Sequence, residues 1–130
     1  MTNTLQAAAT RIEITPSEAD VEAGKVYLRG YGRVQATKIR SKLFARILLL
    51  EAGGRRAAII SLDSAFSNED DFLAFPDKRI DSTVPYGSRK KWAKALESQD
   101  ESVLVCATHT HYAPALGEDA ADCITSKIQE

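Results

Sequence analysis

The sequence predicts an α/β protein, a layered mixed sheet with flanking helices. Three observations carry that reading. Leu43–Leu50 and Ala57–Leu62 are nearly continuous apolar runs joined through Gly53-Gly54, which marks a hairpin of two strands. Val103–Ala107 is a third such run. Between them, Trp92, Ala95 and Leu96 recur at helical spacing, so helix alternates with strand. Strands apolar on both pleat faces imply cover on both sides rather than a sheet with one wet face.

Taken in order, Ala8–Ile14 is predicted as the first strand, with Ile12 and Ile14 on one face and Thr15-Pro16-Ser17 ending it. Proline removes a ladder donor and restricts the residue before it. Residues 18–38 read as a long loop or short strands, with Gly24, Gly30 and Gly32 along it and Tyr27, Leu28 and Tyr31 as anchors. The hairpin strands are expected at Lys42–Glu51 and Arg56–Leu62, around the turn Ala52-Gly53-Gly54-Arg55. Ser67-Asn68-Glu69-Asp70-Asp71 looks like a helix start, its acidic side chains suited to the unpaired amides of a first turn. Pro76 and Pro85 keep any helix there short. Ser88–Ser98 is a better helix, with Lys90, Lys91 and Lys94 toward water, and Ser102–Ala107 is the next strand. Ala120–Ile128, with Ile124 and Ile128 at helical spacing, reads as the opening turns of a last helix. Two apolar anchors on so short a helix leave two organisations open: a single domain over residues 1–130, or an amino-terminal fragment of a larger catalytic domain.

Bulk properties narrow the function classes. Seventeen basic and eighteen acidic residues nearly cancel, which argues against nucleic acid or an anionic membrane as partner. Arg89-Lys90-Lys91 reads as a solvated first helical turn, with an anion contact as the lesser alternative. Two cysteines, Cys106 and Cys123, are too few and too far apart for a disulfide scaffold or a paired-cysteine metal site. No apolar run approaches the roughly 20 residues of a transmembrane helix. No secretory signal opens the sequence, so a cytoplasmic location is expected, with a removed leader as the alternative.

The two histidines of the chain, His109 and His111, sit two residues apart at the exit of the strand ending at Ala107. In extended backbone, side chains at i and i+2 share a face, so both imidazoles could meet one metal ion. Neutral imidazole suits zinc, whose bound water becomes a nucleophile near neutral pH. A chance His-x-His with a structural role is the alternative. Strand exits, however, are where layered α/β proteins gather functional groups. Asp63 ends the apolar strand before it and reaches the same rim if the two strands run alike; it could bind metal, orient an imidazole, or cap its own turn. Ser61 and Ser64 lack the Gly-x-Ser-x-Gly context of a nucleophile elbow. Gly30-Tyr31-Gly32-Arg33 lacks the pattern of a phosphate loop or dinucleotide fingerprint; its glycines suit a tight path, and Arg33 is free for an anion.

Five segments, in order, resemble the amino-terminal catalytic region of the neutral/alkaline non-lysosomal ceramidase family. They are Ala9-Thr10-Arg11-Ile12-Glu13-Ile14-Thr15-Pro16, Gly30-Tyr31-Gly32-Arg33, and Leu43-Phe44-Ala45-Arg46-Ile47-Leu48-Leu49-Leu50-Glu51. Gly53-Gly54-Arg55 leading into Ile59-Ile60-Ser61-Leu62-Asp63, and Ala107-Thr108-His109-Thr110-His111-Tyr112-Ala113-Pro114, complete the set. The resemblance implies a zinc-dependent hydrolase of lipid metabolism, in which water attacks the amide of an N-acylsphingosine-like substrate. It implies His109 as a zinc ligand, His111 as a substrate-contacting or proton-handling histidine, and Asp63 near the metal centre. His111 and Asp63 are thus the expected catalytic groups, and Arg33 and Tyr112 are the expected substrate contacts. The family's further ligands lie later in a much longer chain. A small amphipathic or lipid-like amide is the expected substrate, with a carboxy-terminal continuation or a homo-oligomer completing the site. The alternative function is non-enzymatic: a small α/β domain that keeps the family scaffold for binding or assembly.

Overall fold

The computed structural model describes residues 4–30, 34–75 and 78–130, with side chains left aside over 73–79. Its centre is a four-stranded sheet of β1 (Gln6–Glu13), β4 (Phe44–Ala52), β5 (Arg55–Leu62) and β8 (Val103–Ala107), in that spatial order. Two small hairpins accompany it, β2 (Tyr27–Leu28) with β3 (Val34–Gln35), and β6 (Phe72–Phe75) with β7 (Lys78–Ile80). Helices α1 (Glu18–Glu22), α2 (Ser88–Ala95) and α3 (Glu118–Gln129) complete the fold. The mixed α/β architecture with an open central sheet agrees with the sequence expectation.

Local chemistry sets the elements. β4 and β5 pair antiparallel with Ala52 opposite Arg55, leaving Gly53-Gly54 as a two-residue loop with φ of 57° and 73°. Positive φ at both central residues is what a type I′ turn requires, and its twist matches that of the strands. β5 and β8 pair parallel, Ser61 beside Cys106 and Leu62 beside Ala107. The chain crosses back between them through β6, β7 and α2.

Pleating then sorts the side chains. Ala45 and Ile47 of β4, Ala58, Ile60 and Leu62 of β5, and Val103 of β8 share one face and are buried. They form one core with Trp92, Ala93 and Leu96 of α2 and its cap and with Ala121, Ile124 and Ile128 of α3. Trp92 is fully buried, and its indole N–H donates to the Ala121 carbonyl at 3.1 Å. A buried indole without such an acceptor would lose its hydrogen bond to water uncompensated. The opposite face carries Leu48, Leu50, Ile59 and Leu104, none of which joins that core, and Leu104 is 59% exposed. Cover on both faces, expected from the apolar runs, is therefore corrected: the buried core draws its sheet residues from a single face.

Three further expectations change. Residues 67–71 start no helix. Glu69 instead caps another one: its carboxylate accepts from the Gly87 and Arg89 amides at the start of α2, at 2.9 and 2.6 Å. Asp71 accepts from the Ser82 amide. The acidic run thus satisfies helix-terminal amides as its chemistry suits it to do, but those of a helix 18 residues away, whose own N-cap Gly87 has no side chain to offer. Second, α2 stops at Ala95 rather than Ser98. Glu97 enters the left-handed region at φ 56°, and the amides of Glu97 and Ser98 turn back to the Lys94 and Ala93 carbonyls in a Schellman closure. Third, the loop after Pro16 holds the five-residue helix α1, whose N-cap Ser17 accepts from the Asp20 amide at 3.1 Å. That helix is too short to show a periodicity. Among the described residues, no helix is long and apolar enough to cross a membrane.

One-sided burial has a measurable consequence. Ile60→Ala, on the covered face, should lower unfolding free energy by about 2–5 kcal/mol through lost apolar burial and a cavity. Leu104→Ser, on the open face, should change it by less than about 0.5 kcal/mol. Paired urea titrations would check the contrast, and similar losses at both sites would contradict the one-sided core.

Candidate functional site

Parallel pairing of β5 and β8 brings their carboxyl ends to one rim, and the Thr108 amide donates to the Leu62 carbonyl at 2.9 Å to extend the ladder by one bond. The segments leaving that rim, residues 63–66 and 108–112, hold the candidate groups. Asp63 and the histidines do therefore leave the sheet at the same end.

The imidazoles meet, though not by strand alternation. His109 lies in the left-handed region at φ 63°, so the chain turns sharply right after β8. For a non-glycine residue this conformation costs about 1–2 kcal/mol and needs compensation from its surroundings. His109 Nδ1 lies 2.8 Å from the Ala65 carbonyl oxygen. A carbonyl can only accept, so Nδ1 carries a proton, and in the neutral ring Nε2 then presents its lone pair. His111 Nε2 lies 3.2 Å from that nitrogen, and with His109 in this neutral tautomer it is the donor. The rings stand edge to face, centroids 4.7 Å apart. Phe66 meets both, at 5.4 Å from His109 and 6.2 Å from His111, and packs at 5.6 Å against Phe72.

Asp63 is engaged elsewhere. One carboxylate oxygen accepts from the Phe44 amide at 2.9 Å and the other from Arg46 Nη1 at 2.8 Å. Its own amide donates to the Phe44 carbonyl at 2.9 Å. The carboxylate thus fastens the end of β5 to the start of β4. Ser64 is buried, and its hydroxyl donates to the Phe66 carbonyl at 2.8 Å, which shapes the loop rather than arming a nucleophile.

Tyr112 is 80% exposed and, with Thr110 and Pro114, borders a cavity of about 510 Å³. Val21, Val26, Leu28 and Leu43 give that cavity an apolar wall. Arg33 lies outside the described residues. Sequence reasoning did not find Phe66 or the Ala65 carbonyl. Phe66 could have been noticed as the one aromatic residue three positions past Asp63; a main-chain carbonyl leaves no trace in a sequence.

The donor set can be compared with a zinc site. Two imidazole nitrogens on one tetrahedral zinc stand about 3.3 Å apart, given bonds of about 2.0–2.1 Å. The 3.2 Å Nε2–Nε2 separation matches that spacing, and the Ala65 carbonyl fixes the His109 tautomer as an outer partner would. Among the described residues, however, no group of three His, Cys, Asp or Glu side chains could hold a metal ion. Two ligands fit, and the rest of a zinc shell is not among these residues.

No family model matches the sequence, and no curated protein does. Among solved structures, the neutral ceramidase from Pseudomonas aeruginosa superposes with a TM-score of 0.61 at 18% sequence identity. The two share a fold. The match covers 99% of this chain and 21% of that one, so the chain spans about a fifth of that protein's length. At this identity the likeness to that ceramidase is one of architecture alone.

If Asp63 serves the β4–β5 junction, Asp63→Ala should cost about 1–3 kcal/mol of stability, the usual range for stranding a partly buried amide and losing a charge-assisted bond. The imidazole nitrogen NMR shifts of His109 should stay in place, because Ala65 and Phe66 hold that ring. A moved His109 signal with unchanged stability would instead make Asp63 its orienting partner.

Proposed function

We propose that these 130 residues act as a small α/β binding module on a ceramidase-like scaffold. The apolar cavity that Thr110 and Tyr112 border is the ligand-facing surface, with the imidazole pair carried on the same segment of chain. The observation that carries this reading is the commitment of both Asp63 oxygens to β4, which leaves two imidazoles together without a third ligand among the described residues. A two-point imidazole group can donate and accept hydrogen bonds at a polar head while the 510 Å³ cavity takes an apolar tail. A small amphipathic amide has that shape, with Tyr112 on the cavity wall.

Calorimetric titration with a short-chain N-acyl amino alcohol should give saturable binding that chelator leaves unchanged. Tyr112→Ala should weaken it by about threefold to tenfold without altering the fold, since an exposed aromatic contributes contact area at little structural cost. Turnover of the amide by the 130-residue chain would overturn the non-enzymatic reading.

The second reading is a metal-dependent amidohydrolase completed by ligands from outside these residues, and the Nε2–Nε2 spacing favours it. His109 and His111 would hold zinc, which when bound supplies an acidified water for attack on an amide carbonyl. In that setting the Ala65 carbonyl keeps His109 Nε2 available, and Phe66 excludes water from one side of both rings. Zinc per chain at neutral pH, measured on a form that includes the completing ligands, tests it: about one equivalent is expected, falling to none in His109→Ala. The same stoichiometry in the variant would remove His109 from the metal.

A further inference from the structure

We propose that Gly30 is a positioning residue for His111: its bare α-carbon sets where the His111 ring can stand and so keeps Nε2 against His109. A Cβ built on Gly30 would lie 1.9 Å from His111 Nδ1, 2.4 Å from Cε1 and 2.9 Å from Cγ. Those distances are well inside van der Waals contact, so the ring and any side chain at position 30 exclude one another. Gly30 also has φ of 111°, a conformation that L residues rarely adopt.

The contact is built from both sides. On one side of the ring, Gly30 abuts the Nδ1–Cε1 edge; on the other, His109 receives Nε2 at 3.2 Å. Phe66 closes a third direction at 6.2 Å between centroids. The Gly30 backbone is itself tied down. The Arg29 amide donates to the Ala113 carbonyl at 3.0 Å, only two residues beyond His111, and Arg29 Nη1 reaches Asp81 at 3.2 Å. A short closed circuit thus runs from Arg29 through Gly30 and His111 to Ala113. A ring pushed off Gly30 must rotate away from its present place, and the Nε2–Nε2 contact is what it gives up.

The inference rests on the reading that the imidazole pair faces a ligand, but its test needs no ligand. In wild-type protein, nuclear Overhauser contacts should link the Gly30 α-protons to the His111 ring and the two imidazoles to each other. Gly30→Ala should abolish the inter-imidazole contact and shift the ring nitrogen resonances of both histidines. Gly54→Ala, at a positive φ of 73° but with open space around it, should leave those signals unmoved. A stability cycle with His111→Ala separates the clash from the backbone cost at position 30. Gly30→Ala should raise the unfolding constant at least tenfold more with His111 present than with alanine there, about 1.4 kcal/mol of coupling. Equal penalties in the two backgrounds, or unmoved imidazole resonances in a folded Gly30→Ala, would overturn the proposal. Absence of ligand or zinc binding by wild type would bear on the proposed function alone.

Discussion

Parallel pairing between β5 and β8 is the constraint from which the rest of the structure follows. Once Leu62 lies beside Ala107, both strand exits must leave from one rim, and the loops that continue them must share the space above it. Ala65 and Phe66 come from one exit, His109 and His111 from the other. An antiparallel arrangement of the same two strands would have sent these groups to opposite ends of the sheet. The pairing also demands a long crossover, which here contains a small hairpin and α2, and the helix supplies the tryptophan at the centre of the core.

The left-handed His109 is where that architecture becomes a site. A residue continuing the strand would have sent the following segment straight off the sheet. Turning at position 109 folds the chain back, so that residues 109 and 111 meet ring to ring while Thr110 and Tyr112 border the neighbouring cavity. The energy of this turn is offset by a hydrogen bond to a main-chain carbonyl and an aromatic contact. Both depend on the other strand exit. Backbone strain, tautomer and ring placement are therefore one coupled arrangement rather than three separate details.

Much of the sheet was legible in the sequence, because strands 43–50, 57–62 and 103–107 are marked by apolar runs and the hairpin by two glycines that can both take positive φ. The shared rim was also legible as a condition, since Asp63 and His109 each follow such a run. Three things were not. Which pleat face is covered cannot be read from apolar runs alone: Leu104 and Val103 look alike in sequence and differ entirely in burial. The partner of a carboxylate is another, since Glu69 and Asp63 both end up serving backbone amides far along the chain, a choice made by tertiary contact. Last, the manner in which the imidazoles meet depends on a single dihedral angle that no residue pattern announces when the residue is not glycine.

The borrowed cap on α2 bears on how the chain acquires its structure. A helix of eight residues lies well below the length at which isolated helices persist in water, and this one begins on a glycine that cannot satisfy its own terminal amides. Its start is completed by a carboxylate from the other end of the crossover, so residues 69 and 87–89 must already be close before the helix gains that support. The stability of this segment is therefore lent by its surroundings rather than held in its own eight residues. Excised from this context, it would be coil.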